Sequence, residues 1–186
     1  MVSIARNLAA TPDVVAVDVD NGAYKLSTGG APTFYNGGGN LPQPNSVCFQ
    51  DGYFFFTIGD NRVFASALNA LTQNSLTFIT VQGRADANLL RGIPYSSMLF
   101  LFTTGSFEVW QDAAIAAPAF PYARQTIVDV GLAQPSAIAG FEIGFAELLW
   151  VSQDFHVQWL PPNSIAPTDI SPPDLNRLIE AAVKAG

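Results

Sequence analysis

Apolar and polar residues alternate with a period of two along most of this chain. Val15, Val17 and Val19 share one face of residues 14–20, the pattern of a half-buried strand. Asn21-Gly22 is a strong hairpin signal, and 23–27 reads as the returning strand. Tyr35-Asn36-Gly37-Gly38-Gly39-Asn40 reads as a loop. Strands are then expected at 46–50 and 53–58 around Asp51-Gly52, at 62–68 after Gly59-Asp60-Asn61, and at 76–82. The same order follows at 89–95, 98–103 and 107–111, with turns at Ser96-Ser97 and Thr104-Gly105-Ser106. A Pro/Ala-rich connector at 112–121 leads to strands at 136–141, 146–152 and 156–160, turning at Ile143-Gly144 and Gln153-Asp154-Phe155.

Only the C-terminus changes period. Leu175, Leu178, Ile179, Ala182 and Val183 recur at helical spacing. Ser171 is the expected capping hydroxyl, Pro172 and Pro173 suit a first turn, and Asp174 supplies an early acid. Glu180 and Lys184 form an i,i+4 pair, and Gly186 suits a C-cap. Leu175, Leu178, Ile179 and Ala182 are the candidate partner interface; this stripe either docks on a partner or covers an open sheet edge of its own chain.

Three octapeptides can be stacked: Thr57-Ile58-Gly59-Asp60-Asn61-Arg62-Val63-Phe64, Thr103-Thr104-Gly105-Ser106-Phe107-Glu108-Val109-Trp110 and Ser152-Gln153-Asp154-Phe155-His156-Val157-Gln158-Trp159. Each opens on a hydroxyl, turns on small or polar residues and closes on an aromatic expected to fill the space between blades. Their spacing falls in the range of roughly 40–50 residues that marks propeller blades. A small sheet has two faces to bury, and stacking sister sheets buries both. The expected fold is all-β: β-propeller-like blades of antiparallel strands, a partial or open propeller of three to four blades, with one short C-terminal helix. The blades are placed at about 12–41, 42–83, 87–133 and 134–170, and the helix at 171–186, within a propeller segment of 1–170. Closed propellers usually carry about 4–8 blades, so a fragment or truncated member is expected.

Composition sharpens this picture. The chain has 186 residues, 49% hydrophobic and only 12% charged, which excludes a disordered chain and suggests an apolar surface suited to assembly. Eight Lys and Arg against fifteen Asp and Glu give a net charge of −7. The cations are scattered, so tight nucleic-acid binding is not expected; an acidic channel along which DNA slides is compatible with the charge. No signal peptide is read from Met1–Arg6. The longest strongly apolar run, 98–102, is too short for membrane insertion.

Candidate chemistry is sparse. Cys48 reads as a buried strand residue. His156 is the only histidine, which leaves triads and multi-histidine metal sites little to build on. Asp51, Asp60, Asp112 and Asp154 read as turn residues through Asx bonding. Asp18, Asp20, Glu108 and Glu142 are carboxylates that a glycosidase pair could use, though nothing singles them out. Gly37-Gly38-Gly39 lacks the lysine and helix of a phosphate loop. Trp110, Trp150 and Trp159 could form a carbohydrate platform, but a strand context favours packing. Ser152, Asp154 and Trp159 match part of the Asp-box of sialidase-type propellers, with His156 where that motif has glycine. No catalytic, cofactor-binding or metal-ligating residues are assigned, and no cofactor is expected.

The segments Asp51-Gly52-Tyr53-Phe54-Phe55-Phe56, 99–110, 130–140 and the step from Ile170-Ser171 into the helix carry a family resemblance. From about 45 to 182 the chain resembles the packaged-DNA stabilisation proteins, the tail hub or nozzle subunits of short-tailed bacteriophages. That resemblance implies β-propeller subunits in a homo-oligomeric ring, joined to other phage tail and portal-adaptor proteins. It implies a non-enzymatic structural role in retaining packaged DNA, in the virion tail and, during assembly, the host cytoplasm. This chain is far shorter than that family and lacks the blades expected after the helix. The alternative expectation is a carbohydrate-binding or glycoside-hydrolase-like propeller.

Overall fold

The computed structural model describes residues 1–27, 29–83, 88–142 and 147–185. The expected turn at Ile143-Gly144 and the C-cap Gly186 lie outside the described residues. Sixteen described strands form four antiparallel sheets of four, each strand pairing with its sequence neighbour. The first sheet holds β1 (Val2–Arg6), β2 (Val14–Asp18), β3 (Gly22–Leu26) and β4 (Thr33–Tyr35). The second holds β5 (Pro44–Gln50), β6 (Tyr53–Ile58), β7 (Arg62–Ser66) and β8 (Gln73–Thr80). The third holds β9 (Leu89–Tyr95), β10 (Met98–Thr103), β11 (Phe107–Asp112) and β12 (Tyr122–Val128). The fourth holds β13 (Ile138–Ala139), β14 (Leu148–Val151), β15 (Val157–Leu160) and β16 (Thr168–Asp169), and α1 (Pro173–Ala185) follows.

The sheets stack in chain order through three separate apolar cores. Val15, Val17, Phe54, Phe56 and Phe64 fill the first gap. Phe55, Val63, Leu99, Leu101 and Trp110 fill the second. Phe100, Phe102, Phe107, Leu148 and Trp150 fill the third. The sequence pattern follows directly. Side chains alternate across a strand, so in β6 Phe54 and Phe56 turn to the first sheet while Phe55 turns to the third. In β10 Leu99 and Leu101 face back while Phe100 and Phe102 face forward. A strand buried on both faces must be apolar at every position, which is why β6 and β10 read as continuous runs and β2 alternates.

The buried hydroxyls of the repeats are bonded. Thr57, Thr103 and Ser152, the hydroxyls that open the three octapeptides, are all buried. The Thr57 hydroxyl donates to Asn45, and Asn45 Nδ2 donates to Leu89 O at 2.8 Å, tying the second sheet to the third. Thr103 Oγ1 accepts from Ser106 N at 3.0 Å, and Ser152 Oγ accepts from His156 N at 3.3 Å. Gly131 leads from the third sheet to the fourth where a Cβ would collide with the Thr104 carbonyl, so only glycine lets the chain pass.

Several expectations need correction. Val2–Arg6, outside the expected first blade, pairs with β2. Val19 lies beyond β2 and is half-exposed, off the Val15/Val17 face. β4, β12 and β16 were not anticipated, and β8 begins at Gln73 rather than 76. Ser171 is not the helix cap: its hydroxyl accepts from Val157 N at 2.9 Å and donates to Asp169 Oδ1 at 2.9 Å, while Leu175 N and Asn176 N donate to Pro172 O. Trp159 pairs with Leu149, and alternation with Gln158 and Leu160 turns it away from the third gap; Trp150 fills that gap instead.

Candidate functional site

The two inner sheets bury both faces, whereas the first sheet buries only one. Its inner face carries Ser3, Ala5, Val15, Val17 and Ala23, all buried. Strand register fixes what lies on the outer face. Ile4 pairs with Ala16, Ala16 with Tyr24, and Tyr24 with Phe34, a row across all four strands. Ile4 and Phe34 are each 64% exposed and Val2 is 56% exposed. The Tyr24 and Phe34 rings meet edge to face at 5.8 Å. Small Ala16 between bulkier neighbours leaves a shallow groove of about 380 Å³, lined by Val2, Tyr24, Leu26 and Pro32 with Asp18 at its rim.

A second bare apolar surface sits at the other end of the chain. On α1, Leu175 and Val183 are substantially exposed and Leu178 is 68% exposed. Of the candidate interface residues only Ile179 is partly covered; Leu175, Leu178 and Ala182 face solvent. The expected Glu180–Lys184 pair closes at 2.6 Å. Exposed apolar side chains gathered on one surface mark interaction sites.

The remaining candidates are used within the fold. Glu108 is fully buried; its Oε1 accepts from Gln82 N at 2.7 Å and its Oε2 from Trp110 Nε1 at 2.8 Å, with Arg124 Nη1 at 3.4 Å. Asp18 accepts from Asn21 and Asp20 N, which hold its carboxyl below the ordinary value. Glu142 accepts from Gly140 N. Asp18 and Asp20 lie at one end of the first sheet, Glu108 lies in the third, and Glu142 follows β13. Asp60 and Asp112 make the expected Asx bonds, to Arg62 N and Ala114 N. Asp51 and Asp154 do not: Asp51 accepts from Tyr122 OH at 2.7 Å and Asp154 from Gln153. The Cys48 thiol is buried, and burial pushes its pKa up to about 12.

His156 and Asp169 face each other at 2.5 Å between Nδ1 and Oδ2. Asp169 Oδ1 also accepts from the Ser171 hydroxyl at 2.9 Å. The carboxylate therefore stands between serine and histidine, which is not the order that activates a nucleophile. These contacts pin β16 and the approach to α1 onto β15. Trp110 and Trp150 are buried in the cores, so the three tryptophans form no shared platform.

Sequence reasoning missed Arg91. Its Nη1 donates to Pro135 O at 2.9 Å and its guanidinium lies 4.8 Å from the Phe141 ring centroid, tying the third sheet to the fourth. Burial lowers its pKa. A lone cation inside an apolar strand was the available signal.

No family model matches the chain, and no curated protein sequence matches it. Solved structures do match. Saccharomyces cerevisiae Sqt1 superposes over 86% of this chain and 44% of its own, with a TM-score of 0.54 and 14% identity. The fold is propeller-like. Porphyromonas gingivalis PorZ, described as an essential bacterial surface component of the type-IX secretion system, matches 92% of this chain and 21% of its own, with a TM-score of 0.49 and 12% identity. The chain spans less than half the length of either, and neither is a phage tail protein. What the likeness to Sqt1 supports is the fold alone, an architecture of stacked four-stranded sheets.

Proposed function

We propose that this chain is a non-enzymatic structural component of a phage or prophage tail hub, acting through protein–protein assembly to help retain packaged DNA. The observation that carries the reading is the bare apolar row Ile4, Ala16, Tyr24 and Phe34 at the end of a stack whose other gaps are filled. Such a face favours burial against another protein surface. The exposed stripe of α1 adds a second surface, and the segments at 51–56, 99–110 and 130–140 add the family resemblance. On this reading the partners are other tail or portal-adaptor proteins and further copies in a ring, and the location is the virion tail. The net charge of −7 suits a part that DNA passes without being gripped.

Two measurements test the proposal. Genes for a portal, a terminase and a needle beside this one are expected; a metabolic operon there contradicts the reading. The purified chain is also expected to co-sediment with the portal-adaptor complex encoded by the same genome. Its remaining in the supernatant contradicts the reading.

A further inference from the structure

A cleft of about 890 Å³ lies at the outer rim between the second and third sheets. That volume falls in the range of ~300–1,000 Å³ typical of small-molecule sites. One wall is built from β7, β8 and the residues that join them, with Tyr53 and Asp51 beside it. The other is the loop between β11 and β12, residues 113–121. This loop is longer than the usual hairpin connection of about 2–5 residues. It is rich in alanine, yet it is held in place: Thr77 Oγ1 donates to Pro118 O at 2.8 Å, and Ala113 N donates to Pro121 O at 3.1 Å. Alanine side chains fix the wall without filling the space behind it.

The lining has a consistent chemistry. Asp51, Asp112, Asn40 and Asn74 offer oxygen acceptors, and Ile115 with the loop alanines offers an apolar surface. Gln73 on the same wall is 5% exposed, and its side chain reaches the Tyr35 phenol. Among the described residues no Lys, Arg or His lines the cleft. Two carboxylates without a nearby cation repel anionic ligands. Among the described residues no group of three or more His, Cys, Asp or Glu side chains gathers to hold a metal ion. A ligand with many hydroxyl donors on its edges and C–H groups on its face uses both walls.

We propose that this cleft binds a neutral carbohydrate. Its hydroxyls donate to Asp112 and Asn74, and its C–H face lies on the loop alanines and Ile115. The site is separate from the bare outer face of the first sheet and from the exposed stripe of α1, so it stands or falls independently of the assembly role.

The test titrates the full chain with maltotriose, triacetylchitotriose, an acidic trigalacturonate and spermidine, read by chemical-shift changes and calorimetry. A neutral trisaccharide is expected to bind. Asp112→Asn should weaken binding at least about tenfold, and Ala116→Trp should abolish it by filling the cleft. Leu76→Ser, on β8 but outside the cleft lining, should leave it unchanged. The substituted residues are exposed, and circular dichroism checks that each variant keeps the wild-type fold. Failure of both neutral probes overturns the proposal. Preferential binding of spermidine or the acidic sugar overturns it, and so does unchanged binding by a folded Ala116→Trp variant.

Discussion

The second and first sheets use the same four-stranded meander for different ends. In β6 every side chain from Phe54 to Ile58 is buried, because a sheet stands against each face. In β1 the pattern alternates, and Val2, Ile4 and Arg6 face solvent. Stability is concentrated where both faces are covered, and the capacity to associate lies where one face is bare. A phenylalanine therefore means different things at 55 and at 34: one side chain is enclosed by the stack and the other is offered to a neighbour.

The largest expected contrast comes from truncating one residue of each kind. Phe55→Ala removes a fully buried ring that contacts Tyr122 at 4.9 Å and Phe120 at 5.6 Å. It should cost about 3–5 kcal/mol in denaturant unfolding, whereas Ile4→Ala should stay within about 0.5 kcal/mol. Equal losses would mean that the first sheet is covered as the second is. Glu108→Ala comes next. It strips partners from Gln82 N, Trp110 Nε1 and Arg124 at the second gap. The expected loss is about 2–3 kcal/mol, since Arg124 keeps some contact with water.

A smaller effect is alkaline. Burial, followed by the bond to Asp51, holds the Tyr122 phenol well above its ordinary 10.0. Burial also pushes Tyr35 up to about 12. Both groups are neutral in the folded chain but ionise near 10 when unfolded. Their contribution is therefore complete below pH 10 and is lost as pH rises toward the folded values. Unfolding free energy measured from neutral to strongly alkaline pH should fall beyond 10. Tyr122→Phe should flatten that fall, and a profile unchanged by the substitution would remove Tyr122 as its cause.

The sheets themselves were legible because strands buried on both faces leave an unmistakable run, as at Tyr53–Ile58 and Met98–Thr103. The repeat was legible because Thr57, Thr103 and Ser152 are buried hydroxyls at equivalent places: Thr103 and Ser152 organise their own turns, and Thr57 bonds Asn45 instead. The outer strands were not. β12 mixes exposed and half-buried residues, Ala-Arg-Gln-Thr-Ile, because one neighbour alone holds it. β4 and β16 are three and two residues long, too short for a period to show. Trp159 was misplaced because alternation, not chemistry, decides which face a strand residue occupies. The helical stripe of α1 was visible as a pattern, but its exposure depends on what packs against it, which spacing does not encode. The rim cleft was invisible for a related reason: its residues come from the second sheet and from a loop of the third, forty positions away, and only stacking brings them together.

The division between a covered interior and bare ends is tested most directly by the solution mass of the chain beside that of Ile4→Asp, measured by light scattering over a range of concentrations. The account predicts a wild-type mass above one chain and an Ile4→Asp mass of one chain, with the same circular dichroism spectrum. A wild-type chain that stays monomeric at every concentration, or an Ile4→Asp variant that associates as the wild type does, would contradict it.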